Sequence, residues 1–292
     1  MSDTSIEVPG ASLRYRLCGT PSALPLLVFE NGWGASFEQW TWIEGLLAPQ
    51  TRLLFYDRAG IGGSRLQAPQ TVAGLSAGFA ALLQALNVDT PVVVVGHSYG
   101  GLMGSLHVAQ QPQRVRALVQ VDATPDRDEA TIDAQLDMLR IVGSLSIGLA
   151  RLGLPNPVFG SAGRMLPAPE GRQMMRRSFS NVASLRAGMA EFALLRGIRA
   201  AIAAQPVGCP ALILSADRAT EAKGLLARLV PPHKARTLIA LMQSQHRHKA
   251  AQAAPGEWDA LPHDHGALVF DQAGAQATAT RLMRFVRELA AT

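Results

Sequence analysis

The stretch VVVVGHSYGG, residues 92–101, constrains this chain more than any other. Four consecutive valines read as a strand buried on both faces, and such strands belong to parallel sheets covered by helices. The strand stops at a glycine, and Gly96, Ser98 and Gly100 fit G-x-S-x-G. A chain that passes at once from strand to helix forces the central residue into a strained backbone. It holds the Ser98 Oγ out at the carboxyl end of the sheet, where flanking side chains would collide. The helix that begins there presents free N–H groups and the positive end of its dipole. The Tyr99 N–H is thereby placed to stabilise a developing oxyanion.

The rest of the chain repeats the same alternation. LPLLVFE (24–30), TRLLFYD (51–57), PVVVVG (91–96) and RVRALVQVD (114–122) read as strands. Helical patterns lie between them: SFEQWTWIEGLLA, with Ser36 as its N-cap, TVAGLSAGFAALLQAL and GLMGSLHVAQQ. A βα repeat of this kind predicts a mostly parallel sheet with helices on both faces. The alternation breaks at Ala123, and no strand is expected before about Pro206. It resumes with CPALILSAD, and EWDALP and GAQATATRLMRFVRELA read as the last strand and closing helix, with two helices expected between Asp217 and Glu257. The expected organisation is an α/β core over 1–124 and 207–292, with a helical insertion over 125–206 forming a second layer.

Composition narrows the classes. A formal net charge of +5 raises the question of nucleic acid, but the basic runs RQMMRR and QHRHK carry no interleaved aromatics and read as solvated helix faces. Cys18 and Cys209 have neither redox nor metal spacing and read as free thiols, with Cys209 buried. GIGGS (60–64) lacks the full phosphate-binding pattern and no P-loop lysine accompanies it, so no nucleotide, cofactor or metal is expected. There is neither a secretory signal pattern nor an apolar run long enough to span a bilayer. The expectation is a cytoplasmic protein acting on a small molecule, with its oligomeric state left open.

FENGWGAS, YDRAGIGGS, GHSYG and RVRALVQVDATP occur in this order and together resemble the α/β-hydrolase superfamily, in its large group with a helical cap inserted after the sixth strand of the family fold. The likeness extends over nearly the whole core. It implies that the backbone N–H of Trp33 is the second oxyanion donor, beside that of Tyr99. The family's loop usually reads His-Gly, whereas this chain has Asn31-Gly32. A backbone donor survives that change, since no side chain supplies it. Asp57 in YDRAG reads as a residue that ties its own loop.

A serine hydroxyl needs a base at neutral pH. Of the seven histidines, His97 adjoins the serine and points elsewhere, His107 reads as a packed helix residue, His246 and His248 lie on different helix faces, and His233 follows two prolines. The resemblance implies a histidine after the last strand and ahead of an acidic residue, which selects His265 in LPHDHGALVFDQ, with His263 as the alternative. Two places are open for the acid. Relatives commonly carry it in a Gly-x-x-Asp spacing after the seventh strand, where this chain has Ala219, with Asp217 two residues early. Others carry it after the sixth strand, where Asp122 stands. Glu221 is a third candidate. A serine at the elbow argues against relatives that use aspartate there, the haloalkane dehalogenases and epoxide hydrolases. The implied activity is that of a carboxylesterase-like serine hydrolase (EC 3.1.1) on an apolar ester, lactone or amide. The alternatives are a C–C bond hydrolase or a non-hydrolytic, ligand-binding member of the fold.

Overall fold

A computed structural model describes residues 4–205, 208–219 and 232–291. Nine strands form one sheet: β1 (Thr4–Val8), β2 (Ala11–Gly19), β3 (Leu27–Glu30), β4 (Arg52–Tyr56), β5 (Arg65–Leu66), β6 (Val92–His97), β7 (Val115–Val121), β8 (Ala211–Ala216) and β9 (Gly256–Leu261). Their spatial order is β1-β2-β4-β3-β6-β7-β8-β9, with β5 paired to β2. From β4 to β9 all neighbours are parallel, and β2 runs antiparallel to β1, β4 and β5. The sheet is therefore mostly parallel, as the βα repeat requires.

Helices cover both faces. They are α1 (Thr41–Leu47), α2 (Val72–Ala85), α3 (Tyr99–Gln110), α4 (Ala130–Arg151), α5 (Gly160–Met165), α6 (Ala168–Met174), α7 (Val182–Ala193), α8 (Leu195–Ala203), α9 (Pro232–Gln252), α10 (Ala267–Phe270) and α11 (Gln272–Ala291). One apolar layer packs α1 and α11 on one face of the sheet, through Phe29, Trp40, Phe55, Val95 and Leu282 among others. The opposite layer holds Val28, Leu54, Phe79, Val94 and Ile213. Val92 to Val95 are fully buried because alternate valines enter opposite layers. Between β7 and β8 the described residues hold helices α4 to α8 and no strand. No helix among the described residues is long and apolar enough to cross a membrane.

Three expectations need correction. The sheet begins with β1 and β2, which the alternation of apolar runs did not reveal. Arg14 in β2 faces inward and is buried, bonded to Asp57 and Glu38, so this strand lacks the usual apolar signature. Ser36 precedes a short 3-10 turn (Phe37–Trp40) ahead of α1, and its side chain makes no cap bond. Instead, its N–H donates to the Ser178 Oγ at 2.9 Å. QHRHK is a solvated face only in part: Arg247 and His248 are exposed, whereas His246 and Lys249 point inward with Gln243, one turn apart, and all three of these are buried. Of the two helices expected between Asp217 and Glu257, α9 is present, and residues 220–231 lie outside the described residues.

Candidate active site

The strand-to-helix turn at Ser98 is as tight as its sequence demands. Ser98 lies at φ 55°, ψ −123°, between the end of β6 and the first residue of α3. Few non-glycine residues adopt this left-handed region, and those that do tend to mark functional sites. The two flanking glycines are steric necessities. A Cβ on Gly96 would overlap the backbone of Gly100 and Gly101, and one on Gly100 would overlap the Glu30 carbonyl. The turn is latched to the neighbouring strand by two backbone bonds, from the Ser98 N–H to the Val121 carbonyl at 3.1 Å and from the Thr124 N–H to the Ser98 carbonyl at 2.9 Å.

Asp122 closes β7, directly beside that latch. It too has positive φ, 44°, and its carboxylate is buried. The Oδ1 accepts the Ala216 N–H at 2.9 Å, and the Oδ2 lies 2.6 Å from the His265 Nδ1. His265 comes from the loop between β9 and α10. Its side chain keeps 42% of its surface accessible, so the face away from Asp122 can be reached from outside. Burial would raise the Asp122 pKa, but the hydrogen bond and charge of His265, the charge of His246 and the Ala216 N–H together push it down to about 2. The surroundings of His265 disfavour its charged form, yet the bond and charge of Asp122 and the charge of Asp264 outweigh this and raise its pKa. An imidazole acting as base is inactive when protonated. The acidic limb of a kcat/KM profile that depends on it should therefore lie above the ordinary histidine value near 6.5.

The other sequence candidates fall elsewhere. Asp217 does not meet His265; its Oδ1 accepts from Gln243 Nε2 at 3.2 Å, and its N–H bonds the carbonyls of Leu261 and His263. His263 thus serves the β8–β9 edge through its backbone, and Glu221 lies outside the described residues. His97 does not point away from the site. Its Nε2 donates to the His265 carbonyl at 3.1 Å and its ring lies 4.6 Å from that of His265, while burial pushes its pKa down to about 3. It therefore stays neutral and props the loop that carries His265. His246, set aside in the sequence, bonds the Ala123 carbonyl at 2.8 Å through Nε2. Its Nδ1 lies 2.8 Å from the Ser215 Oγ, which accepts from the Trp258 indole. This chain of bonds holds the turn that presents Asp122.

The loop after β3 is held from several sides. Asn31, in the place of the family's histidine, donates to the Tyr56 carbonyl at 2.8 Å and accepts from the Trp40 indole at 2.9 Å. The Gly32 N–H donates to Gln39. The Trp33 ring is buried between Phe159 and Phe192, and its indole donates to the Gly188 carbonyl at 2.7 Å. The backbone N–H groups of Trp33 and Tyr99 make no hydrogen bond to another described residue.

Arg58 sits beneath this loop. It donates to the Asn31 and Gly32 carbonyls and forms a two-pronged pair with Glu191 of α7 at 2.7 and 2.9 Å, with Glu30 at 3.4 Å. The Glu191 carboxylate is fully buried. Removing it strands much of a buried positive charge, so Glu191→Ala should destabilise the fold by about 3 kcal/mol or more. Denaturant unfolding of the variant against wild type checks this. Asp57 ties its loop as expected, accepting from the N–H groups of Phe37 and Gly63, and also pairs with Arg14. His107 is a packed helix histidine, stacked on Phe79 and bonded to Glu30. Both cysteines are free and buried. Among the described residues no cluster of His, Cys, Asp and Glu could hold a metal. A cavity of about 310 Å³ opens between the β1–β2 hairpin and α2, and neither Ser98, His265 nor Asp122 lines it.

The fold has counterparts among known proteins. The sequence matches the α/β-hydrolase fold family over residues 25–186, and the chain belongs to that family. An AB hydrolase superfamily protein of Gibberella zeae is 28% identical over 109 residues, which cover 37% of this chain and 34% of that one. The chain thus spans about a third of that relative's length. Two solved structures share the fold. One is from Pseudomonas aeruginosa, provisionally described as an epoxide hydrolase, with TM-score 0.74 and 18% identity over 99% of this chain and 97% of that one. The other is an enol-lactonase from Burkholderia xenovorans, with TM-score 0.67 and 19% identity over 97% and 100% of the two chains.

Proposed function

We propose that the protein is a serine hydrolase that cleaves a small, apolar carboxylic ester or lactone through an acyl-enzyme. The observation that carries this reading is the 2.6 Å bond between His265 and Asp122, beside a serine held at φ 55° on the adjoining strand. In this reading His265 takes the Ser98 proton as Oγ attacks the ester carbonyl. The tetrahedral oxyanion is met by the Trp33 and Tyr99 N–H groups, and the imidazolium returns its proton to the departing alkoxide. Water then repeats the sequence on the acyl-enzyme and releases the acid. Asp122 orients the imidazole and stabilises its charged form. The serine argues against epoxide opening, which in this family proceeds through aspartate.

Residues 125–206 act in this reading as a cap over the cleft. Leu166, Met174 and Phe192 are buried in apolar clusters that also contain Ala35 and Trp33 of the oxyanion loop, with Met165, Met175 and Met189 packed beside them. Such surroundings favour an apolar acyl group of medium size over acetyl or charged ones, because flexible thioethers adapt to irregular apolar shapes. A fluorophosphonate probe tests the function. Covalent labelling should map to Ser98 and vanish in Ser98→Ala, and a folded protein that stays unlabelled would refute the proposal. An activated-ester series of increasing acyl length then reads the preference. The ligand-binding alternative is less favoured, since Asn31, where the family usually has histidine, braces the loop by its own hydrogen bonds, and in this reading Asp122 serves in place of an acid at 219.

A further inference from the structure

The long helix α4 turns one apolar face inward and a second one outward. Ile132 and Gly143 are buried, and Leu136, Leu139, Ile147 and Ala150 pack on the clusters around Trp33 and Phe179. On the opposite side Ala134, Met138, Ile141, Leu145, Gly148 and Leu152 all lie exposed. Met138, Ile141, Leu145 and Leu152 keep 59%, 57%, 65% and 75% of their surface. A helix anchored on one side needs only one apolar stripe, and isolated exposed leucines are ordinary. Six small or apolar residues in register are a different matter.

The spacing of the outer stripe is 4, 3, 4, 3, 4, the 3.5-residue repeat with which one helix packs along another. It runs for about 27 Å at 1.5 Å per residue. Its composition selects the partner. If a second copy of α4 lies antiparallel across a two-fold axis near Gly143, Met138 faces Gly148, Leu152 faces Ala134, and Ile141 faces Leu145. Each large side chain then meets a small one, or the central pair meets in matched sizes. The same operation sets Asp137, at one end of the seam, beside Arg151 of the other copy, twice over by symmetry. A parallel pair would oppose glycine to glycine and methionine to methionine, and would bring the two Asp137 carboxylates to the same end. Asp137 is 71% exposed and among the described residues pairs with Arg140 alone, on its own helix at 3.5 Å, so it is available to such a partner.

We infer that the outer face of α4 is a self-complementary dimerisation seam, pairing antiparallel with α4 of a second copy of this chain. A two-fold interface of this type uses one patch twice. One helix width over 27 Å is smaller than the roughly 800 Å² per partner of a standard interface, so the dimer is weak and concentration-dependent.

Sedimentation velocity on the full chain, from low micromolar to submillimolar concentration, tests the seam. The wild type should shift from monomer to dimer across this range. Leu145→Glu should stay monomeric throughout while keeping the wild-type melting temperature, since the side chain is exposed. Asp137→Lys sets like charges against each other at both ends and should raise the dissociation constant about tenfold. Adding Arg151→Asp to it should restore wild-type association. A wild type that remains monomeric at every concentration overturns the proposal, as does a dimer that persists in Leu145→Glu. A charge swap that fails to recover association overturns the antiparallel seam. Flotation of the wild-type protein with zwitterionic lipid vesicles, lost in Leu145→Glu and without dimer formation, would assign the stripe to a lipid surface and also overturn it.

Discussion

Ser98→Ala should lower ester hydrolysis by about 10³-fold or more while leaving the fold intact. On the proposed mechanism the Trp33 and Tyr99 N–H groups do not depend on the hydroxyl, so they and substrate binding would supply whatever acceleration remains. Stability should not suffer. Alanine carries the same Cβ into the positive-φ position, and the latch to Val121 and Thr124 is made by backbone atoms. Steady-state kinetics on an activated ester, alongside thermal melting, measure both quantities. Turnover near wild type in the purified variant would end the serine mechanism.

Asp122→Asn should cost up to about 10⁴ in kcat, whereas Asp217→Asn should leave kcat near wild type. An asparagine keeps the shape of the site and can still accept the Ala216 N–H. It withdraws the negative charge that sets the imidazole tautomer and supports the imidazolium. Because the Asp122 bond and charge are what raise the His265 pKa, their loss should move the acidic limb of kcat/KM to lower pH. Asp217→Asn should keep the wild-type limb and change stability by about 1 kcal/mol or less, since its carboxylate meets Gln243 in a partly buried corner. Retained activity in Asp122→Asn with an unshifted limb would remove Asp122 from the mechanism.

The parts of this molecule that were legible in the sequence are those whose residues speak for themselves. Four consecutive valines favour a buried strand, as β6 is here, and glycines at both sides of a serine have a steric cause that GHSYG displays. The parts that were not legible depend on partners far away in the chain. Arg14 conceals β2, because an inward arginine reads as an outward one until its acids, Asp57 and Glu38, are seen beside it. QHRHK misled for the same reason: His246 and Lys249 enter the core to meet Ala123 and Asp126. The acid stayed ambiguous because Asp122 and Asp217 each close a parallel strand. Only the path of the loop after β9, propped by His97, decides which of them His265 meets.

The backbone latch between the β6 and β7 ends has a consequence for how such a chain can diversify. With Asp122 as the acid, the nucleophile and its acid leave adjacent strands and are tied to one another by main-chain bonds that no side-chain substitution removes. Only the histidine must be delivered from elsewhere. The segment that follows β8, where relatives commonly keep their acid, is then released from that duty. Insertions, deletions and changes of composition there should be tolerated by the chemistry, and a lineage built this way is free to use that segment for recruiting new substrates.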